Sequence, residues 1–248
     1  MMLRDHLDAS GRLLFRRRGW LPLLILLVAP TAFFRYSYPW QRHDLQEAWT
    51  FLCIGVALLG QVVRFLTIGQ VPSRTSGRNR KEQVADSLNT DGMYSIVRNP
   101  LYLGNCLTWL GLAAVPHSVW LWVSVALVFW IYHERVIMAE ESFLEGKFGS
   151  VFREWASRTP AFVPSFSRWK RAPLSFSFKT AIGREYVNWF ALVSAFTAFD
   201  AAADSAAERH WHVDREWAIA WVIALVLFVA IRLLKKRTHV FRVAGRDW

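Results

Sequence analysis

The sequence predicts an all-α polytopic membrane protein of about six transmembrane helices, with a cytosolic amphipathic helix after the fourth. Three observations predict it. The chain of 248 residues is 54% hydrophobic, carries 14 Trp and has a positive mean hydropathy of +0.19, a composition foreign to soluble domains. Its apolar residues are bunched into six runs with few or no charges: Gly19 to Phe34, Ala48 to Leu66, Tyr102 to Val115, Val119 to Tyr132, Val187 to Ala203 and Trp217 to Leu234. Arginine and lysine then alternate between the segments that separate these runs.

Threading six spans with both termini inside places 26 of the 30 Lys and Arg residues on the inner side, in residues 1–19, 64–101, 133–186 and 232–248. The outer loops keep Arg35, Arg42, Arg209 and Arg215. Cytoplasmic loops of membrane proteins collect basic residues, so both termini are expected in the cytoplasm and the chain in a bacterial inner membrane. The net charge of +11 then reads as topology plus attraction to anionic lipid head groups. No basic stripe is interleaved with base-stacking aromatics, so nucleic acid is not an expected partner. Three regions are expected: an N-terminal anchor helix (1–47), a membrane core (48–165), and a surface segment plus a two-helix extension (166–248).

The first run follows Arg16, Arg17 and Arg18, lacks a small-x-small cleavage site and reads as an uncleaved anchor ending in an aromatic belt from Arg35 to Trp40. The second carries Gly55 and Gly60, which permit close helix packing in lipid; its Gln61 and Arg64 approach the inner face, where snorkelling alone accounts for Arg64. Residues 67–91 read as a cytoplasmic loop. Cys53 and Cys106 fall inside apolar runs and read as small buried hydrophobes. The third and fourth runs are about 14 residues each, or ~21 Å against a ~30 Å hydrocarbon core, so the fourth helix is expected to run past Tyr132 into the cytosol. Along that extension Ile137, Glu141, Leu144, Phe148, Val151 or Phe152, and Trp155 recur at helical spacing, and Glu134 shares the face. A carboxylate inside an apolar stripe calls for a cation or donors facing it. Glu140 sits one position off the stripe. Residues 156–185, with Pro160, Pro164, Pro173, Trp169, Lys170 and Arg171, suggest a segment lying on the membrane surface. The last two helices are joined by an acidic outer loop and leave room for a homo-oligomer contact. His210-x-His212 on that loop has metal-binding residue types but reads as solvent-facing, and no metal is expected. His117 and His133 read as helix-end polar groups.

The candidate site is the stretch Asp91-Gly92-Met93-Tyr94-Ser95-Ile96-Val97-Arg98-Asn99-Pro100-Leu101-Tyr102-Leu103-Gly104, where a polar loop turns directly into an apolar helix. Gly92 and Gly104 allow close backbone approach, Pro100 can open a helix, and Arg98 sets a permanent cation at the edge of a hydrophobic phase. Gly92-x-Tyr94-x-x-x-Arg98-Asn99-Pro100-x-Tyr102-x-Gly104 resembles the signature of the isoprenylcysteine carboxyl methyltransferases and phospholipid N-methyltransferases. A second block, Glu140-Glu141-x-x-Leu144-x-x-x-Phe148-Gly149-x-x-Phe152-x-x-Trp155 followed by Pro160 and Pro164, is similar to the tail of that family's core. Asn99 stands where the family often has His, and Phe152 and Trp155 stand where it has Tyr. The resemblance covers roughly residues 50–165.

The resemblance implies an integral-membrane enzyme that transfers a methyl group from S-adenosylmethionine to a lipid-like acceptor, with a carboxylate, phosphate or amine head group. It implies cofactor contacts from Gly92, Tyr94, Pro100, Tyr102 and Gly104, with Glu140 and Glu141 at the amino end or hydroxyls of the cofactor. Arg98 and Asn99 are then the expected catalytic pair, Arg98 binding the cofactor carboxylate or orienting an anionic acceptor. A sterol-reductase-like enzyme using a reduced nicotinamide cofactor, with Arg78, Asn79, Arg80 and Lys81 on the phosphates, and a non-catalytic membrane accessory protein are the alternatives.

Overall fold

A computed structural model describes residues 10–15, 27–34, 36–39, 42–72, 74–75, 84–211 and 213–246. The described residues form helices and no strand. Beyond a short helical stretch at 10–15 and 3-10 turns at Ala29–Phe33 and Phe166–Arg168, the helices are α1 (His43–Ile68), α2 (Met93–Ile96), α3 (Pro100–Ala114), α4 (Val119–Phe148), α5 (Ser150–Arg158), α6 (Phe178–Glu208) and α7 (Arg215–Arg237).

Three of these helices, α1, α4 and α7, are long and apolar enough to cross a membrane. The third predicted run became α3, which at 15 residues is short for a span by itself and works by packing along α1. The fifth became α6, which has the length but interrupts its apolar residues with Arg184, Glu185, Asp200 and Asp204. Most of the first run, with the basic cluster before it, lies outside the described residues, as do Arg78 to Lys81 and His212.

α1 and α3 pack as an antiparallel pair whose separation is set by small residues. A Cβ at Gly104 would stand 2.6 Å from the Gly60 carbonyl oxygen, and one at Gly111 would stand 2.6 Å from that of Cys53. Backbone therefore meets backbone, the arrangement in which helices gain contact without a hydrophobic driving force. Trp49 Nε1 donates to the Ala114 carbonyl at 2.8 Å at the far end of this interface. His117 stands where α3 ends, stacks on Trp49 with ring centroids 4.8 Å apart and shares a 2.8 Å hydrogen bond with Gln46, as expected of a helix-end polar group. His133 differs: it lies in mid-helix, buried, its ring 3.7 Å from that of Phe129 and edge-on to Tyr102.

α4 runs unbroken through Tyr132, as its lack of breakers predicts, and stops at Gly149, whose φ of +55° reverses the chain. The expected single stripe is thereby divided between α4 and α5, and Phe152 rather than Val151 supplies the buried apolar position. α7 buries no residue completely and leans on α6 through aromatic stacking, Phe228 on Phe190 at 4.8 Å and Trp217 on Phe196 at 6.4 Å. The C-terminal strap returns to the core: Arg246 donates to the Gly69 carbonyl at 2.5 Å and to that of Ser175.

Gly104→Val will force α1 and α3 apart, lowering stability by about 1–3 kcal/mol. Tryptophan-fluorescence melting in detergent reads this directly, and a midpoint equal to wild type would show that the helices do not touch at Gly60.

Candidate functional site

The signature loop is held by the chain that follows α5. Gly92 adopts φ +60° and donates its N–H to the Lys170 carbonyl at 2.9 Å; Ser165 N–H donates to Ile96 O at 2.9 Å and Arg98 N–H to Pro160 O at 2.9 Å. Ser95 Oγ accepts from the Lys170 N–H at 2.9 Å. These bonds give a proline-rich segment with only one 3-10 turn the backbone partners it otherwise lacks. They also fix the loop so that Pro100 opens α3, its missing N–H lost where no helix partner exists.

Arg98 then meets α4. Its Nε donates to Glu141 Oε1 at 2.9 Å and its Nη2 to Oε2 at 3.3 Å, a bidentate fork, while Nη1 donates to the carbonyls of Ala156 at 2.6 Å and Thr159 at 3.0 Å. A guanidinium has five N–H donors, and this geometry uses four of them. The two side chains are 18% and 27% exposed, so the pair sits at the rim rather than in the interior. One residue away, Tyr102 donates its hydroxyl to Glu140 Oε1 at 2.9 Å. Asn99 Nδ2 donates to Ala161 O at 3.0 Å, and Trp155 Nε1 to Tyr94 O at 3.2 Å. Burial, followed by the nearby Glu140 carboxylate, raises the pKa of Tyr94, whose hydroxyl stays protonated at any physiological pH.

A cavity of about 630 Å³ gathers these groups: Tyr94, Arg98, Asn99, Pro100, Tyr102, Glu140 and Glu141 all line it, together with Phe152 and Trp155. Gly92 and Gly104 do not. A Cβ at Gly92 would meet Gln70 and Ala172, and one at Gly104 would meet Arg64 and Gly60, so the close approaches these glycines allow are to the protein itself. A second cavity of about 330 Å³, lined by Phe129, Trp130, His133 and Phe162, lies on the other side of the Arg98–Glu141 pair, which borders both.

The far wall of the larger cavity belongs to residues whose role the sequence did not disclose. Arg64, assigned to snorkelling on sequence grounds, instead forks onto Glu185 of α6 with two 2.8 Å hydrogen bonds and donates to Asn105 Oδ1 at 2.6 Å. Glu185 is completely buried and also accepts from Asn188 at 3.0 Å. Gln61 Nε2 donates to Thr108 Oγ1 at 3.0 Å, whereas its buried Oε1 has no hydrogen-bond partner among the described residues. Beyond this polar girdle the wall is apolar, with Trp109, Leu112, Ala191, Leu192 and Ala195. The only sequence signal was an isolated charge in each of two apolar runs, and nothing in the spacing paired them.

Residues 48–151 match the description of the phospholipid methyltransferase family. The chain is 36% identical over 119 residues to the cobalt-zinc-cadmium resistance protein CzcN of Cupriavidus metallidurans, covering 48% of this chain and 52% of that protein. It is 28% identical over 114 residues to the protein-S-isoprenylcysteine O-methyltransferase of Schizosaccharomyces pombe, covering 46% and 47% respectively. Over 125 residues it is 28% identical to protein-S-isoprenylcysteine O-methyltransferase B of Arabidopsis thaliana, covering 48% and 62%. The chain thus spans about half to three-fifths of the length of these curated relatives. No solved structure matches it. The methyltransferase-family segment holds the signature loop, Glu140 and Glu141, whereas Glu185 and Asn188 come from outside it.

Glu185→Gln will leave Arg64 as an uncompensated buried cation and lower stability by about 3–5 kcal/mol. Thermal unfolding of the variant in nanodiscs measures the loss, and an unchanged midpoint would mean that the Arg64–Glu185 fork does not form.

Proposed function

We propose that this chain is an S-adenosylmethionine-dependent methyltransferase acting at the cytoplasmic face of the membrane on a lipid-like acceptor. The observation that carries the reading is the two-ended character of the larger cavity. One end holds two carboxylates, a tyrosine hydroxyl and an arginine at the mouth; the other is apolar and framed by α3 and α6. A cavity of this volume encloses a drug-sized ligand. Its residues fit the donor's chemistry, since Glu140 and Glu141 suit an ammonium or ribose hydroxyls, and the faces of Tyr94 and Tyr102 suit a sulfonium. When bound, the cofactor supplies the activated methyl group, and no covalent nucleophile is needed from the protein.

The protein's part is position and exclusion of water. Arg98, with most of its donors spent on Glu141 and the Ala156 and Thr159 carbonyls, acts here as a positioning residue that locks α5 and the following loop against α4. Asn99 holds Ala161 in the same way. Phe152 and Trp155 close the cavity from the cytosolic side, and the apolar wall of Leu112, Leu192 and Ala195 receives the acceptor's tail. Holding donor and acceptor in line within van der Waals contact supplies much of the acceleration of such a displacement.

Calorimetry with S-adenosylmethionine on the chain in nanodiscs tests the reading. Glu140→Gln is expected to weaken binding about tenfold or more while the fold is retained, and Arg98→Lys, which cannot form the fork, to lower methyl transfer more than binding. Wild-type protein with no affinity for the cofactor would end the proposal. Mass spectrometry of membrane lipids with and without the gene is expected to show species differing by one CH₂.

A further inference from the structure

At the opposite end of α1 from Arg64, about 30 Å away by helix rise, three helices converge on a second polar cluster. His43 opens α1, Asp204 lies in the last turns of α6, and Asp214 precedes α7. One imidazole nitrogen and one oxygen from each carboxylate all lie within 4.8 Å of one another. Donors at ~2.1 Å from a shared tetrahedral cation are about 3.4 Å apart, so each ligand atom would move inward by under about an ångström to close the set.

We propose that His43, Asp204 and Asp214 form a binding site for a divalent first-row transition metal, of the zinc or cobalt type. Imidazole with carboxylates is the donor set of such ions, whereas calcium and magnesium favour all-oxygen sites. One further feature points to an occupant. Tyr36 is only 9% exposed, and its hydroxyl has no hydrogen-bond partner among the described residues. The carboxylates of Asp204 and Asp200 act on it electrostatically. His43 is already oriented: Nε2 faces Asp204 at 3.9 Å while Nδ1 faces Glu47 at 3.6 Å, the outer carboxylate that a ligating imidazole uses to fix its tautomer. Tyr38 donates toward both Asp204 Oδ1 and Glu208 Oε1, each at 3.0 Å, holding the Asp204 carboxylate in place. A bound ion would tie the start of α1 to the α6–α7 hairpin, on the far side of the molecule from the methyltransferase-family cavity.

Cobalt(II) titration of the purified full-length chain in detergent, followed by visible absorption and by equilibrium dialysis with metal analysis, tests the site. One Co²⁺ per chain is expected, with a d–d band that added Zn²⁺ displaces. His43→Ala and Asp214→Asn should each weaken binding by about tenfold or more. Asn remains a good N-cap, so Asp214→Asn keeps α7 intact; Zn²⁺ should raise the melting temperature of wild type and not of this variant. His210→Ala, on the exposed neighbouring turn, should leave binding unchanged. Absence of stoichiometric Co²⁺, retention of the band in His43→Ala, or its loss in His210→Ala would each overturn the assignment.

Discussion

The fork between Arg98 and Glu141 is the constraint on which the candidate site rests. It joins separate parts of the chain: a loop before α3, the C-terminal third of α4, and, through Arg98 Nη1, the last turn of α5 and the residue after it. A planar guanidinium is suited to this because its donors leave in fixed directions and satisfy a carboxylate and two carbonyls together. Partial exposure matters as well. A fully buried pair would carry a large desolvation penalty, whereas one at the rim retains some hydration and can border two cavities.

The second ion pair obeys a different balance. Arg64 and Glu185 lie between α1 and α6, with Glu185 wholly buried, and they persist because every strong donor direction is met: both carboxylate oxygens accept from Arg64, Asn105 takes a further N–H, and Asn188 adds a fourth contact. Such a pair is weak evidence for stability but strong evidence for register, since sliding α6 by one residue would leave a charge unpaired in an apolar phase. It fixes the extension against the methyltransferase-family segment and makes α6 one wall of the cavity.

Glycine acts in two distinct ways here. At Gly60 and Gly104 it removes bulk so that helix backbones touch, and the signature glycine is explained by packing beneath the site. At Gly149 it supplies a positive φ between the end of α4 and the start of α5, whose Phe152 and Trp155 line the cavity. The helical stripe that the sequence suggested was therefore a correct list of inward-facing residues on an incorrect single helix. Periodicity survives a one-residue break, so it identifies the face without revealing the turn.

By itself the sequence determined the helical class, the unbroken run of α4 past Tyr132 and the opening of α3 at Pro100, and its family resemblance grouped Tyr94, Arg98, Tyr102, Glu140 and Glu141, which line one cavity. These are properties of local pattern and of two motifs close in the chain. Only the tertiary structure decided that Arg64 pairs with Glu185, that Gly92 and Gly104 support the cavity without lining it, and that His43 stands beside Asp204 and Asp214. Each of those depends on which parts of the chain face one another at separations of 22 to 171 residues, and no spacing rule spans such distances. Helix–helix contacts are chosen by the fit of whole surfaces, and an isolated polar residue in an apolar run shows that a partner is required without showing where it stands.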